Sequence, residues 1–229
     1  MSELRPSSEL LRAVESDLRP VLPLAPPWRR ALVLLPLGAA VLAGLPAYWG
    51  YRSNLPQLGP LFSWGLSALQ ALAGLALVGA ALREGIPGRK LSAPTLLATL
   101  GAALALLALV TWLTEVEAPT AISPAVRVRY IWECLGIATV SGIPALAAAA
   151  WLAWRSLPNR PWIAGALYGM GAGLITDSGM RLFCWVSEPD HVAWSHGGAI
   201  LLLMLAGAVI SRAAEALHSR FDRNRLRGR

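Results

Sequence analysis

Six long apolar runs constrain this chain more than any other feature of its sequence. Each is about the length that an α-helix needs to cross a bilayer core, roughly 20 residues at 1.5 Å of rise per residue. In hydrocarbon the backbone N–H and C=O groups must be satisfied within the protein, which favours helices for runs of this length. The runs cover residues 31–50, 62–82, 94–113, 131–154, 161–183 and 193–211.

The composition is also that of a membrane protein. Of the 229 residues, 55% are hydrophobic and only 14% are charged, whereas about a quarter of the residues in soluble domains are charged. Tryptophan prefers the headgroup level of a bilayer, and all 10 tryptophans fall within a few residues of a predicted helix end. The sequence therefore predicts an all-α polytopic membrane protein with six transmembrane helices.

The distribution of basic residues predicts how these helices are oriented. With a cytoplasmic N-terminus, all but four of the 20 Lys and Arg residues fall in cytoplasmic segments, where membrane proteins carry an excess of them. Both termini are therefore expected in the cytoplasm. Because the basic residues are divided among four segments, the net charge of +7 predicts contact with the lipid bilayer and no direct nucleic-acid binding. The four exceptions are Arg52, Arg127, Arg129 and Arg181.

The chain divides into three predicted parts. These are a cytoplasmic head (1–30), a six-helix transmembrane domain (31–212) and a basic cytoplasmic tail (213–229). In the head, Ser7 is a suitable N-cap for a short amphipathic helix, and the prolines that follow Arg19 predict an extended spacer. A helix this short is marginal in water, so its apolar stripe needs the bilayer or a partner protein. The stripe consists of Leu10, Leu11, Val14 and Leu18.

The only two cysteines, Cys134 and Cys184, are predicted at the outer ends of the fourth and fifth transmembrane helices. Helices joined by so short a loop are usually antiparallel neighbours. Helical rise then puts the two thiols about 31 and 36 Å above that loop. A pair at this height can form a disulfide in an oxidising compartment, or bind a metal ion, or consist of two unrelated apolar residues.

Four polar residues after Cys184 add further metal-ligand chemistry. With the two thiolates, their oxygen and nitrogen atoms can complete a site for a soft or borderline divalent metal ion. The spacing C-x6-H-x4-H has no known fixed geometry, so the metal site is a hypothesis. The four residues are Glu188, Asp190, His191 and His196.

Asp177 and Arg181 are the charges closest to the membrane interior, where a charge costs about 2.5–3.5 kcal/mol. Their i, i+4 spacing predicts an intramembrane charge pair, with the Arg181 side chain extending outward to the interface. The alternative is a proton-relay or substrate-binding role for Asp177. The same run carries glycines at four-residue intervals, which predicts close packing against another helix. These are Gly165, Gly169 and Gly173.

Known catalytic patterns are missing from the sequence. It contains no G-x-S-x-G, no H-E-x-x-H, no P-loop and no pair of carboxylates within a span. The chain is therefore predicted not to be an enzyme, and no cofactor is required.

Several short stretches of the sequence form a distinctive set. They are DLRPVLPL (17–24), PWRR (27–30), VGAALR (78–83), IPGR (86–89), CLG (134–136), R-x-x-P-x-x-P (155–161), the three spaced glycines, Cys184, and W-x-H (194–196). Together they resemble the negative-regulator-of-sigma-F (NrsF) family of bacterial inner-membrane proteins. The resemblance covers nearly the whole chain and is most specific in the second half, where both cysteines match the family's pair.

The resemblance implies a function. Members of that family are six-helix anti-sigma factors of the inner membrane, so the head would hold an extracytoplasmic-function sigma factor inactive. A heavy metal, bound transiently, or an oxidant would act at Cys134 and Cys184 on the periplasmic side and release it. A different class, a small transporter or metal-efflux accessory protein using Asp177, His191 and His196, would instead show substrate flux in proteoliposomes.

Overall fold

The computed structural model describes residues 7–18, 24–86, 88–156 and 158–227. These residues form helices joined by short connections, and no strand occurs among them. The predicted all-α class is therefore confirmed. The proline spacer falls largely on residues 19–23, outside the described part. The side chains of a few helical residues are also outside it, namely Leu10, Ala13, Asp17 and residues 221–227.

A short helix, α1, precedes six long helices in the described ranges. Each long helix has a proline at its first or second position, where the missing N–H costs no hydrogen bond and the fixed φ suits a helix start. The helices are α1 (Ser8–Asp17), α2 (Pro27–Trp49), α3 (Leu55–Arg83), α4 (Ala93–Glu117), α5 (Pro124–Trp154), α6 (Pro161–Phe183) and α7 (Pro189–Arg220, continuing as helix to Arg227).

Five of these helices, α2, α3, α4, α5 and α7, are long and apolar enough to cross a membrane. The helix α6 has sufficient length, with 23 residues, but glycines and the charges of Asp177 and Arg181 dilute its hydropathy. Five apolar helices agree with a helical membrane protein, and the sixth span stays a prediction. The helices also extend beyond the predicted runs; α5, for example, begins at Pro124 instead of residue 131.

The helix α6 lies at the centre of the bundle. It contacts α7, α3, α5 and α2, and almost all of its residues are buried. Its weak hydropathy is compatible with this position because its neighbours, and not lipid, surround it. The outer helices instead expose large apolar side chains, including Leu97, Val140 and Leu205.

Small residues allow the neighbours of α6 to approach its backbone. A Cβ atom added to Gly173 would lie 2.9 Å from Ile200 Cα in α7, and one added to Gly171 would lie 2.6 Å from the Gly74 carbonyl oxygen in α3. Both distances are shorter than real Cβ contacts allow. The predicted close packing of the glycine-bearing helix is confirmed, and it involves two faces of α6 instead of one.

The two ends of the bundle are fastened by different polar groups. At the end where α2 begins, here called the head end, the buried Glu84 accepts hydrogen bonds from Arg160 Nε (2.8 Å) and Nη2 (2.7 Å) and from the Leu91 N–H (2.6 Å). The bond to Glu84 raises the pKa of Arg160. Nearby, the Arg30 side chain donates to the Leu152 carbonyl. The opposite end contains both cysteines and is called the cysteine end.

A glycine substitution tests the packing of α6. We expect Gly169→Ala to lower the free energy of unfolding of the detergent-solubilised protein by about 1–3 kcal/mol, the usual cost of overpacking, because its Cβ would lie 2.8 Å from Met204 Cα. The loss should appear as a lower midpoint temperature. Gly136→Ala in α5 is the control, since its Cβ meets nothing within 4 Å. Size-exclusion chromatography after heating measures both. Equal midpoints for the two variants would contradict the packing described here.

Candidate functional site

The two cysteines meet at the cysteine end. Cys134 lies in α5 and Cys184 directly follows α6, and their Sγ atoms are 3.6 Å apart. Both are free and buried. The short connection between α5 and α6 makes these helices antiparallel, so residues at similar distances from the connection come together. A disulfide has a bond of about 2.05 Å, so the thiols are in van der Waals contact and not covalently joined.

A π-helical turn adds both histidines to this pair. Residues Val192–Gly197 form the turn at the start of α7, and in such a turn residues five apart lie roughly one above the other. His191 and His196 therefore lie on the same side of α7, with ring centroids 5.6 Å apart. His191 Nε2 is 3.3 Å from Cys184 Sγ. One ligand atom from each cysteine and each histidine falls within 4.8 Å of the others.

Asp177 supports His196 from below this cluster. The Nδ1 atom of His196 is 2.5 Å from Asp177 Oδ1, and both side chains are buried. The second carboxylate oxygen of Asp177 accepts a hydrogen bond from the amide of Gln70 in α3. This arrangement leaves His196 Nε2 buried without a hydrogen-bond partner. Gln70 was not predicted as a site residue; a single amide in an otherwise apolar run was the only signal for it.

Asp177 and Arg181 do not form the predicted contact with each other. The Arg181 guanidinium donates to Thr114 Oγ1 and to the Val110 carbonyl (3.1 Å) in α4. Its side chain is buried and does not extend outward. The i, i+4 spacing predicts a pair. Each side chain instead binds groups on other helices, and the sequence pattern does not reveal these partners.

The two carboxylates that were predicted as metal ligands also lie elsewhere. Glu188 Oε2 is 2.5 Å from Arg127 Nε, and Glu188 Oε1 accepts the Ile122 N–H at 3.1 Å. Asp190 is exposed and 3.8 Å from the same arginine. These contacts join the segment that follows Cys184 to the α4–α5 connection and the first turn of α5. Glu188 and Asp190 are therefore separate from the four-residue cluster.

Arg52 holds the segment containing Cys184 in place. Its side chain donates to Asn54 Oδ1 (2.6 Å), Ser187 Oγ (2.8 Å) and the Arg181 carbonyl (3.2 Å). Burial, together with the nearby Arg181 charge, lowers the pKa of Arg52 to about 10. The sequence identified Arg52 only as an exception to the charge distribution; the structure shows that it is buried and fully engaged.

The helix α1 of the head has exposed apolar side chains. The fractional exposures of Leu11, Val14 and Leu18 are 49%, 51% and 71%. The predicted stripe is therefore exposed at Leu11 and Val14 in α1 and at Leu18 directly after it, while the Leu10 side chain is outside the described residues. The head precedes α2, and α2 begins at the end of the bundle opposite the cysteines.

The cysteine and histidine cluster can act chemically in two ways. Two thiols and two imidazoles are the ligands that zinc-like divalent ions prefer. Two thiols in contact can also be oxidised to a disulfide by an external oxidant. A disulfide would bring the two Sγ atoms from 3.6 Å to about 2.05 Å.

Comparison with known proteins identifies the family. A family model described as negative regulator of sigma F, NrsF, matches residues 15–214. The matched region includes Leu18, Asp177 and all four residues of the cluster, and it begins after Val14. No curated protein and no solved structure matches the chain. Because the match covers most of its length, the chain belongs to the negative regulator of sigma F family.

Proposed function

We propose that this protein is an anti-sigma factor of the bacterial inner membrane. Residues 1–30 hold an extracytoplasmic-function sigma factor inactive, and a heavy metal or an oxidant acting at Cys134 and Cys184 causes its release. Family membership supports negative regulation of a sigma factor. The observation that carries the proposal is the presence in one chain of a short helix with exposed apolar side chains and of a buried thiol pair.

The helix α1 is suited to docking in a groove of a partner protein. Its 10 residues are too few for a stable isolated helix, so a partner that covers its apolar side would stabilise it. Leu11, Val14 and Leu18 have the i, i+3, i+7 spacing by which amphipathic helices bind hydrophobic grooves. Burying such side chains is worth about 1.5–3 kcal/mol each.

In the proposed topology the chain crosses the membrane six times and both termini are cytoplasmic. The enclosed α6 counts as a span because it runs from the head end, where α5 ends, to the cysteine end, where α7 begins. Most of the basic residues then lie on the cytoplasmic side, as expected from the positive-inside rule. The head end of the bundle faces the cytoplasm and the cysteine end faces the periplasm.

The signal travels through α6 in this proposal. Cys184 follows the last residue of α6, and Arg160, which binds Glu84, precedes its first residue. Backbone contacts at Gly171 and Gly173 leave little room for α6 to deform locally. A displacement at the cysteines would therefore shift α6 as a unit and alter the contact between Arg160 and Glu84 at the head end.

Sigma-factor capture tests the head. We expect Leu11→Asp combined with Val14→Asp to reduce co-purification of the sigma factor at least tenfold, because charges in a hydrophobic groove are left without partners. Arg12→Asp combined with Ser16→Asp adds negative charge off the stripe and should still capture the sigma factor. Both variants should fractionate with membranes. Normal capture by the Leu11 and Val14 variant would refute docking through α1.

Labelling of single cysteines tests the topology. In a variant with Cys134 and Cys184 replaced by serine, we expect Glu117→Cys to react with a membrane-impermeant maleimide in intact cells. Lys90→Cys should react only after the inner membrane is broken, because it lies at the head end. Both positions are exposed. The reverse pattern would place the cysteine end in the cytoplasm and contradict the proposed orientation.

Induction of a sigma-dependent reporter tests the thiols. We expect Cys134→Ser and Cys184→Ser each to blunt induction by cadmium or chromate several-fold, because a hydroxyl replaces the reactive sulfur in a contact of 3.6 Å. Repression in the absence of inducer should persist in both variants, which shows that they fold and bind the sigma factor. Full induction in both would remove the cysteines from the mechanism.

A further inference from the structure

We propose that Cys134, Cys184, His191 and His196 together bind one divalent metal ion of the zinc and cadmium class in a four-coordinate site, and that Asp177 positions His196 for this. The inference deepens the proposed function by naming the signal chemistry and two ligands beyond the cysteines. Metal binding itself does not depend on the sigma factor, so the two proposals can fail separately.

The distances among the ligand atoms fit tetrahedral coordination. With a metal–sulfur distance of about 2.3 Å and a metal–nitrogen distance of about 2.05 Å, tetrahedral geometry places two sulfurs about 3.8 Å apart and a sulfur and a nitrogen about 3.6 Å apart. The thiols are 3.6 Å apart, and Cys184 Sγ is 3.3 Å from His191 Nε2. The four side chains therefore need only small shifts to surround an ion.

The histidines have nitrogen atoms available for an ion. His196 Nε2 is buried and has no hydrogen-bond partner, which is costly in the absence of a ligand. Its other nitrogen, Nδ1, donates to Asp177, and this carboxylate–histidine arrangement is the usual outer-shell support of a metal-bound imidazole. Gln70 in turn donates to Asp177. A metal ion on Nε2 would complete this chain of bonds.

The charges of the site also balance when a divalent ion binds. The ion replaces one proton on each thiol, so M²⁺ and two thiols give a neutral bis-thiolate complex and two released protons. Asp177 and Arg181 carry opposite charges in the same buried region. The buried complex adds no uncompensated charge, which would be unfavourable among apolar helices.

The donor set defines the class of ion. The carboxylates of Glu188 and Asp190 are directed to Arg127, so hard-oxygen ligands for Mg²⁺ or Ca²⁺ are missing from the cluster. A cavity of about 170 Å³ reaches both thiols, and Glu133 lies among its lining residues. Glu133 is paired with Arg129 at 2.7 Å, so the class of ion is set by the sulfur and nitrogen donors and not by the charge at this cavity.

Cobalt substitution in the purified full-length protein tests the site directly. We titrate Co²⁺ into the reduced, metal-free protein in detergent and record the visible spectrum. The expected result is one Co²⁺ per chain, with the intense ligand-field bands of tetrahedral coordination and a thiolate charge-transfer band. Zn²⁺ and Cd²⁺ should displace the cobalt, and Mg²⁺ should not. Octahedral cobalt, or no binding by protein that elutes as a folded species, would overturn the proposal.

Variants separate the roles of the individual residues. His191→Ala and His196→Ala should each weaken binding and alter the ligand-field bands, whereas His191→Cys retains four ligands and should strengthen the charge-transfer band. Asp177→Asn should weaken affinity about 10–100-fold with the bands unchanged, as expected for a residue that acts through a ligand. His218→Ala is the control, because His218 follows His196 by about 33 Å of helical rise. Wild-type affinity in both His→Ala variants would refute the histidine ligands.

Sigma-factor capture, reporter induction and cobalt binding together distinguish this proposal from the anti-sigma function. Loss of sigma-factor capture with intact cobalt binding would refute only the anti-sigma assignment. Intact capture and cysteine-dependent induction without tetrahedral cobalt binding would refute only the metal site and favour oxidation of the thiols.

Discussion

The backbone packing of α6 is the interaction on which the rest of the structure depends. Gly171 and Gly173 bring this helix within contact of α3 and α7 at the level of main-chain atoms. Lipid tails are as apolar as helix side chains, so no hydrophobic driving force brings helices together in hydrocarbon. Their association relies on such packing and on interhelical hydrogen bonds. The enclosed helix can therefore carry charged side chains that would be unfavourable against lipid.

These buried polar side chains connect α6 to three other helices at the cysteine end. Asp177 bonds to α3 and α7 through Gln70 and His196, and Arg181 bonds to α4. Arg52 fastens the segment after Cys184. In the proposed mechanism, a change in the bonding of the thiols acts on this buried hydrogen-bond network.

The length of α6 separates the cysteine cluster from the ion pair at the head end. The cysteine cluster lies at one end of α6, and the Glu84 and Arg160 pair lies at the other, beside the point where the chain from α1 enters the bundle. In the proposed mechanism a rigid, closely packed helix carries the signal across the membrane. A flexible or lipid-facing helix would absorb a small displacement before it reached the head.

The sequence by itself determined the helical class, the apolar runs, the glycine packing and the two cysteines, because these depend on composition and on local periodicity. Only the tertiary structure decided the partners of the polar residues. Asp177 binds His196 instead of Arg181, and Glu188 binds Arg127 instead of joining the cluster. A π-helical turn brings His191 and His196 to one side of α7. The physical reason is that contacts between helices depend on their relative rotation, which helical periodicity does not specify.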